Sequence, residues 1–513
     1  MAALHAGAQN RTPVLLPPDS AHTTGNGYAL VFGVSDYKKI TDLLYADDDA
    51  FLFKEFLINN NLVKNNEKYL RFYTDSNATR SNFFSSLGYI LARVHENDNV
   101  FIYFAGHGDI QMDIDLGYLL AYGCELNTDY NGSDAIPLML MDPYVDKIAS
   151  KGARVYLILD ACRSGKAEMD LKGESKTYYG VQSRFKNTVK LLSSSPDEYS
   201  IERHFANGGH GLFTYYLVQG WSGLSVSDND SLVDLKSLKR YVEDKVAEAS
   251  VQKQNPMITG DNKMVLSPVI PLVKQSYALQ SSQPVALNEG RKPGHRGMDT
   301  TNTYTNPVEK MLYAQFIDYA QRGQLLSPAK QNAAELYETS DVATGNPAFK
   351  DDLKWELISY LEDNSQKLIN LYVAGELGDM RNRNMEVSKR FDECRKVLEK
   401  AAALIGPDDP YYNVVLAKAL FAKGYSKFKT YKMDNIREAL TLLNKADSLL
   451  PNTAYIQNAI GLCYVSLNSN ECLRYFDRAS ALAPNWVYPK GNKEYFYRKM
   501  KNMDNLNAAP EKK

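Results

Sequence analysis

Two apolar runs constrain this chain more than any other feature: "NVFIYFAGHGD" at 99–109 and "RVYLILDACRSG" at 154–165. Each opens with consecutive β-branched, aliphatic and aromatic residues that do not alternate with polar ones. That pattern suits a strand covered on both faces of a mainly parallel sheet. Each then stops at side chains that can do chemistry. In open α/β sheets, catalytic groups collect at the carboxyl edge of the strands, where loops hold them in a crevice. His107 and Cys162, 55 residues apart, are predicted to share that edge.

A lone cysteine after a strand is more often packing than chemistry, because free cysteine is among the most buried residue types. A histidine in such a place is likewise more often structural. The two together read differently. A thiol with a pKa of about 8.5 is mostly protonated at neutral pH, and a paired histidine turns it into a far better nucleophile. The same histidine can then protonate a leaving amine. Gly106 and Gly108 permit a tight turn and a close approach of substrate to backbone. The amides of Gly108 and Cys162 are candidate donors to the oxyanion of a tetrahedral intermediate.

The surrounding text alternates strands and helices from residue 27 to about 272, which predicts an α/β sandwich with a mostly parallel central sheet. Residues 1–26 read as a disordered lead and 273–308 as a polar, turn-rich linker. From 309 to 500 the pattern is helical and repeats: Ala439, Leu443, Ala446 and Pro451 recur 33 residues later as Cys472, Phe476, Ala479 and Pro484. Cys394, Leu398 and Ala401 form a poorer copy 45 residues earlier, and an insertion falls near "GYSKFKTYKMDN". Small, large, small, then proline resembles tetratricopeptide repeats, with an irregular helical bundle as the alternative. Residues 501–513 form a polar tail.

The 59 basic and 61 acidic residues nearly cancel, so nothing in the overall charge points to nucleic acid as a partner. Five unclustered cysteines suggest neither a disulfide framework nor a zinc site. No stretch is apolar enough for a membrane span. "MAALHAGAQN" lacks the charged start of a signal peptide, but its "AGAQ" resembles a cleavage site. Export is favoured slightly over a cytoplasmic location on that ground, with an ordinary terminus as the alternative.

Residues 28 to 270 resemble the caspase-like cysteine peptidases, the group of caspases, metacaspases and paracaspases. "YFAGHGD" matches the histidine motif, "LDACRSG" the cysteine motif, "YADDDAFLF" the acidic start of the first helix, and "HGLFTYYL" the helix after the later strands. The resemblance implies a dyad of His107 and Cys162. It also implies a substrate. Caspases that cut after aspartate typically carry glutamine two residues before the cysteine, whereas the arginine- and lysine-cutting members carry an acid, as Asp160 does here. An acid in the pocket attracts a cation, and arginine can engage it bidentately. Asp49 aligns with the helix-start acid and Glu202 with an acid after the next strand. The plainer readings are helix-terminal charge for Asp47 to Asp49 and a solvated loop for Glu202.

Lys166, Lys172, Lys176 and Arg184 after the cysteine, with Arg291 and Arg296 in the linker, are candidate self-cleavage sites, since polar surface segments invite nicking. No cofactor is expected, and no clear metal site is read from the sequence. Calcium activation is known in some relatives, but a helix-start acidic run makes a poor cage for an ion that wants six to eight oxygens. The repeats are expected to bind a protein partner, a substrate or a regulator. A catalytically silent scaffold and a hydrolase of small amides are the competing readings.

Overall fold

The computed structural model describes residues 25–111, 116–124, 130, 132, 134–163, 188–195, 198, 200–205, 208–281 and 304–507, with 110–111, 162–163, 204, 208, 280–281 and 503–507 described by backbone alone. The first half alternates as its apolar runs require. Strand β1 (Gly27–Gly33) leads to α1 (Ala46–Asn59), β2 (Leu70–Thr74), α2 (Arg80–Arg93) and β3 (Asn99–Gln111). Next come β4 (Leu116–Leu120), β5 (Ala135–Pro137), α3 (Leu138–Ser150), β6 (Arg154–Arg163) and β7 (Thr188–Leu192). A hairpin of β8 (Glu202–Phe205) and β9 (Gly208–Gly211) precedes α4 (Leu212–Gln219), β10 (Leu232–Asp234), α5 (Leu235–Ala249), β11 (Met257–Thr259) and β12 (Val265–Pro268).

The sheet runs β11-β7-β6-β3-β1-β2, parallel throughout except for β11, and β4 with β5 extends the far end of β3 antiparallel. Strand side chains alternate between faces. Ala29, Val31, Tyr103, Tyr156 and Ile158 therefore meet α1, α4 and α5, while Leu30, Phe32, Phe104, Leu157 and Leu159 meet α2 and α3. The β3–β6 ladder continues from Asn99↔Arg154 to Gly108↔Arg163. Both long runs thus reach the same edge in the same register.

Helix α6 (Pro271–Ser281) corrects the expected linker: its first part is helical, and Tyr277 is buried in the core with α1 and α4. The remaining helices are α7 (Pro307–Gln321), α8 (Ala333–Thr344), α9 (Pro347–Val373), α10 (Met385–Ile405), α11 (Tyr412–Phe428), α12 (Met433–Leu449), α13 (Ala454–Ser466), α14 (Glu471–Leu482) and α15 (Val487–Asn507). Asn306, Asn332, Asn346 and Asn384 cap the first turns of α7 to α10 by accepting backbone N–H groups.

Helix pairs α11/α12 and α13/α14 carry the repeat. A Cβ on Gly424 would come 2.9 Å from Leu443, and one on Gly461 2.5 Å from Phe476, so a residue without a side chain lets each pair nest. These glycines are 37 residues apart and their partners 33. The difference of four arises between each glycine and its partner: α12 begins ten residues before Leu443 and α14 five before Phe476, while Gly424 stands one residue nearer the end of its helix than Gly461. The insertion read from the sequence is an extra turn of helix.

The helical half docks on the peptidase-like half through α9, which lies along α2. Trp355 covers Gly88, Arg71 pairs with Glu356, and Arg93 pairs with Asp351 and Asp352. Fully buried Lys418 reaches Glu362 at 3.0 Å and Gln366 at 2.7 Å. Tyr411 stacks on Phe84 with centroids 4.4 Å apart. This interface lies on the α2 face of the sheet, opposite α1 and α4.

Candidate active site

The site begins where β3 bends. Gly106 has φ +156°, and a Cβ there would come 2.7 Å from the Tyr37 hydroxyl. That hydroxyl accepts the His107 N–H at 2.7 Å and donates to the Leu120 carbonyl at 3.0 Å, while the two rings stack at 4.8 Å. Tyr37 therefore fixes both the backbone and the ring plane of His107.

His107 Nε2 lies 2.8 Å from the Thr41 carbonyl, which can only accept, so Nε2 carries the proton. In the neutral ring, Nδ1 is then the basic nitrogen. Among the described residues it has no hydrogen-bond partner. Burial holds the His107 pKa below the ordinary histidine value, opposed by the Thr41 carbonyl and Asp42. A buried imidazole that stays neutral is suited to accept a proton.

Cys162 is the register partner of His107 on the neighbouring parallel strand. Adjacent strands lie about 4.8 Å apart, and alternation puts position 162 on the face of Ile158 and Asp160. Its thiol lies outside the described side chains. Gly108 is flanked by Leu119 on β4 and Arg163 on β6. Gly108 is the last residue of both pairings, at the end of each ladder. Lys166, Lys172, Lys176, Arg184, Arg291 and Arg296 all lie outside the described residues.

Three acids meet beside His107. A cavity of about 180 Å³ is lined by Asp49, Asp160, Glu202 and His107, with Ala46 and Gly211 between them. Asp160 accepts from the Ser200 hydroxyl at 2.7 Å and the Thr214 hydroxyl at 2.6 Å. Glu202 accepts the backbone N–H groups of Leu44 at 3.1 Å and Tyr45 at 2.9 Å. Asp49 accepts the Gly211 N–H on both oxygens, at 3.1 and 2.9 Å. Burial pushes all three carboxyls above their ordinary range, Asp49 furthest, with Asp160 the next cause of its rise. Among the described residues no lysine or arginine forms an ion pair with any of them. Buried carboxylates without a cation are costly, and a cationic ligand relieves that cost.

The acidic run Asp47 to Asp49 does not converge on one point. Asp47 turns back to the Ser35 hydroxyl at 2.5 Å, and only Asp49 faces the cavity. Sequence reasoning missed Tyr37, Thr41, Ser200, His210 and Thr214. Two of these, His210 and Thr214, lie in the "HGLFTYYL" stretch already singled out, where nothing local marks them as cavity residues.

The family model of the caspase domain, Peptidase C14, matches residues 26–264. That segment has a caspase-like fold. Peptidases of this family are cysteine peptidases, and the mostly parallel sheet with helices on both faces is its fold. The helical half lies beyond the match and fits a set of repeats. A crystal structure of a protein from Geobacter sulfurreducens is similar at 15% identity, over 47% of this chain and 97% of that one, with a TM-score of 0.33. No curated protein matches the chain. Among the described residues, no helix is long and apolar enough to cross a membrane.

Proposed function

We propose that the caspase-like domain is a cysteine endopeptidase that cuts after arginine, and after lysine second. One observation carries this: two buried carboxyl groups, Asp49 and Asp160, and the half-buried Glu202 line the cavity that also contains His107. In the proposed reaction the Cys162 thiol passes its proton to His107 Nδ1, and the thiolate attacks the scissile carbonyl carbon. The oxyanion takes hydrogen bonds from the amides of Cys162 and of Gly108. Collapse breaks the C–N bond, and His107 returns the proton to the leaving amine. Water, deprotonated by His107, then releases the acyl group and regenerates the thiol.

Asp160 and Asp49 would hold the guanidinium and Glu202 the rim of the pocket. Arginine's planar fork can engage two carboxylates at once, whereas lysine offers a point charge. Peptides differing only at the residue before the scissile bond test this. Arginine should exceed aspartate by about 100-fold or more, the scale of an uncompensated buried charge. Faster hydrolysis after aspartate would refute the reading.

For the helical repeats, recruitment of a protein partner is the proposal, with one restriction. Tyr372 of α9 is fully buried against Phe391, Phe421, Tyr425 and Trp486, and its hydroxyl accepts from Asn458 at 2.9 Å. The chain fills that junction itself, so a partner must bind elsewhere on the repeats.

A further inference from the structure

One buried titratable side chain beside the cavity has no part in the proposed bond cleavage. His210 on β9 is 8% exposed, and its ring stacks at 21° to Tyr215 with centroids 6.1 Å apart. Its Nδ1 lies 3.0 Å from Asp49 Oδ1. With the Gly211 N–H on both oxygens, Asp49 is gripped from one side by two consecutive residues of the hairpin. Both grips come from groups that can donate, and donors favour the charged carboxylate.

The other groups facing Asp49 oppose that charge. They are Asp160 on β6, Glu202 on β8 and Asp48 on its own helix, while the Tyr103 hydroxyl on β3 is held neutral beside it. Burial opposes it as well. Without His210, a single backbone N–H would be left holding Asp49 against all of them.

We propose that His210 is a positioning residue for substrate selection: its Nδ1 holds Asp49 as an oriented carboxylate, so that the cavity takes a cationic side chain in preference to a neutral one of the same shape. This deepens, and rests on, the reading of the cavity as the seat of a basic residue. The histidine touches neither the scissile bond nor the thiol. It acts through Asp49.

The test uses the full chain and paired substrates carrying arginine or citrulline, its neutral isostere, before the scissile bond. His210→Ala should lower the arginine-to-citrulline ratio of kcat/KM by about 10- to 100-fold, the scale of one hydrogen bond to a charged group. The loss should fall mainly in KM. The acid limb of kcat/KM for the arginine substrate should move to higher pH, because Asp49 loses a donor that favours its charged form. His210→Asn, whose amide nitrogen can stand where Nδ1 stands, should recover most of the ratio. His210→Gln, which reaches the Nε2 position instead, should behave like alanine. Alkylation of Cys162 by iodoacetamide reports separately that the dyad is intact.

A His210→Ala ratio within twofold of wild type would overturn the proposal, as would an asparagine variant no better than glutamine; the glutamine and asparagine pair decides the matter even if the alanine variant does not fold. A wild-type protein that cleaves but does not distinguish arginine from citrulline would overturn the pocket reading itself, and this inference with it.

Discussion

Replacing Gly88 by alanine separates two effects of opposite sign. In a helix interior, alanine is favoured over glycine by about 1 kcal/mol, because glycine loses more backbone freedom on folding. At this place the new Cβ would lie 2.2 and 2.4 Å from two atoms of the Trp355 ring, where ordinary contacts begin near 3.4 Å. The indole must retreat by about 1 Å. Trp355 is 5% exposed and pinned between α9 and α2, so the ring cannot simply swing into solvent. Overpacking of this kind costs about 1–3 kcal/mol, and the tight contact puts it towards the upper end. Set against the helix gain, Gly88→Ala should destabilise by about 1–2 kcal/mol. The same change made in Trp355→Ala removes the clash and leaves the helix gain, so there it should stabilise by about 0.5–1 kcal/mol. Urea unfolding of the four proteins in this cycle gives both values and the coupling between the residues. Stabilisation by Gly88→Ala in the otherwise unchanged chain would refute the docking of α9 on α2.

Tyr37→Phe keeps the ring stacked on His107 but strips the hydroxyl from the His107 N–H and the Leu120 carbonyl. Turnover and iodoacetamide alkylation should both fall by about tenfold, and unchanged rates would remove Tyr37 from the positioning of the base. Asp363 gives a pH signature. Burial, and then Asp134, raise its carboxyl from 3.8 to about 7. A raised acid stabilises the folded state below the unfolded value and loses that contribution as pH climbs through the folded one, so stability should decline between about pH 4 and 7. Asp363→Asn does not titrate, and thermal unfolding at pH 5 and pH 8 should differ less for it, by on the order of 2 kcal/mol after allowing for solvent screening. An equal difference in both proteins would assign the decline to other groups.

The legible parts of this molecule were those encoded within short stretches. The runs at 99–109 and 154–165 carry their own burial, because residues apolar at every position suit only a strand covered twice. Asp160 was legible for a similar reason: its offset from Cys162 survives any loop arrangement. Asp49 was harder. Three consecutive acids at a helix start look equivalent until the helix phase turns one inward and leaves Asp47 to Ser35. The grip of Gly211, Ser200 and Thr214 on the pocket acids was not legible at all. Small polar groups from separate elements acquire meaning only when the fold brings them within 3 Å. The α6 segment misled because its turn-rich continuation dominates the composition, while a single buried tyrosine anchors it. Of the contact between the two halves the sequence kept one trace, the small residues Ser81, Ser85 and Gly88 on one side of α2, spaced as a helix would space them.

Ten of the fourteen residues of α2 are buried, so this helix has no outer surface in the usual sense. On one side it covers the sheet and on the other it receives α9. A caspase-like domain with such a helix has given up an independent exterior there. Were it transplanted beside a different companion, Phe84, Gly88 and Tyr89 would meet water, and the guanidinium groups of Arg71 and Arg93 would lose their carboxylates. The two halves are therefore fitted to each other along α2 and α9: parting them would expose the buried side of α2, and a change in α2 calls for a matching change in α9.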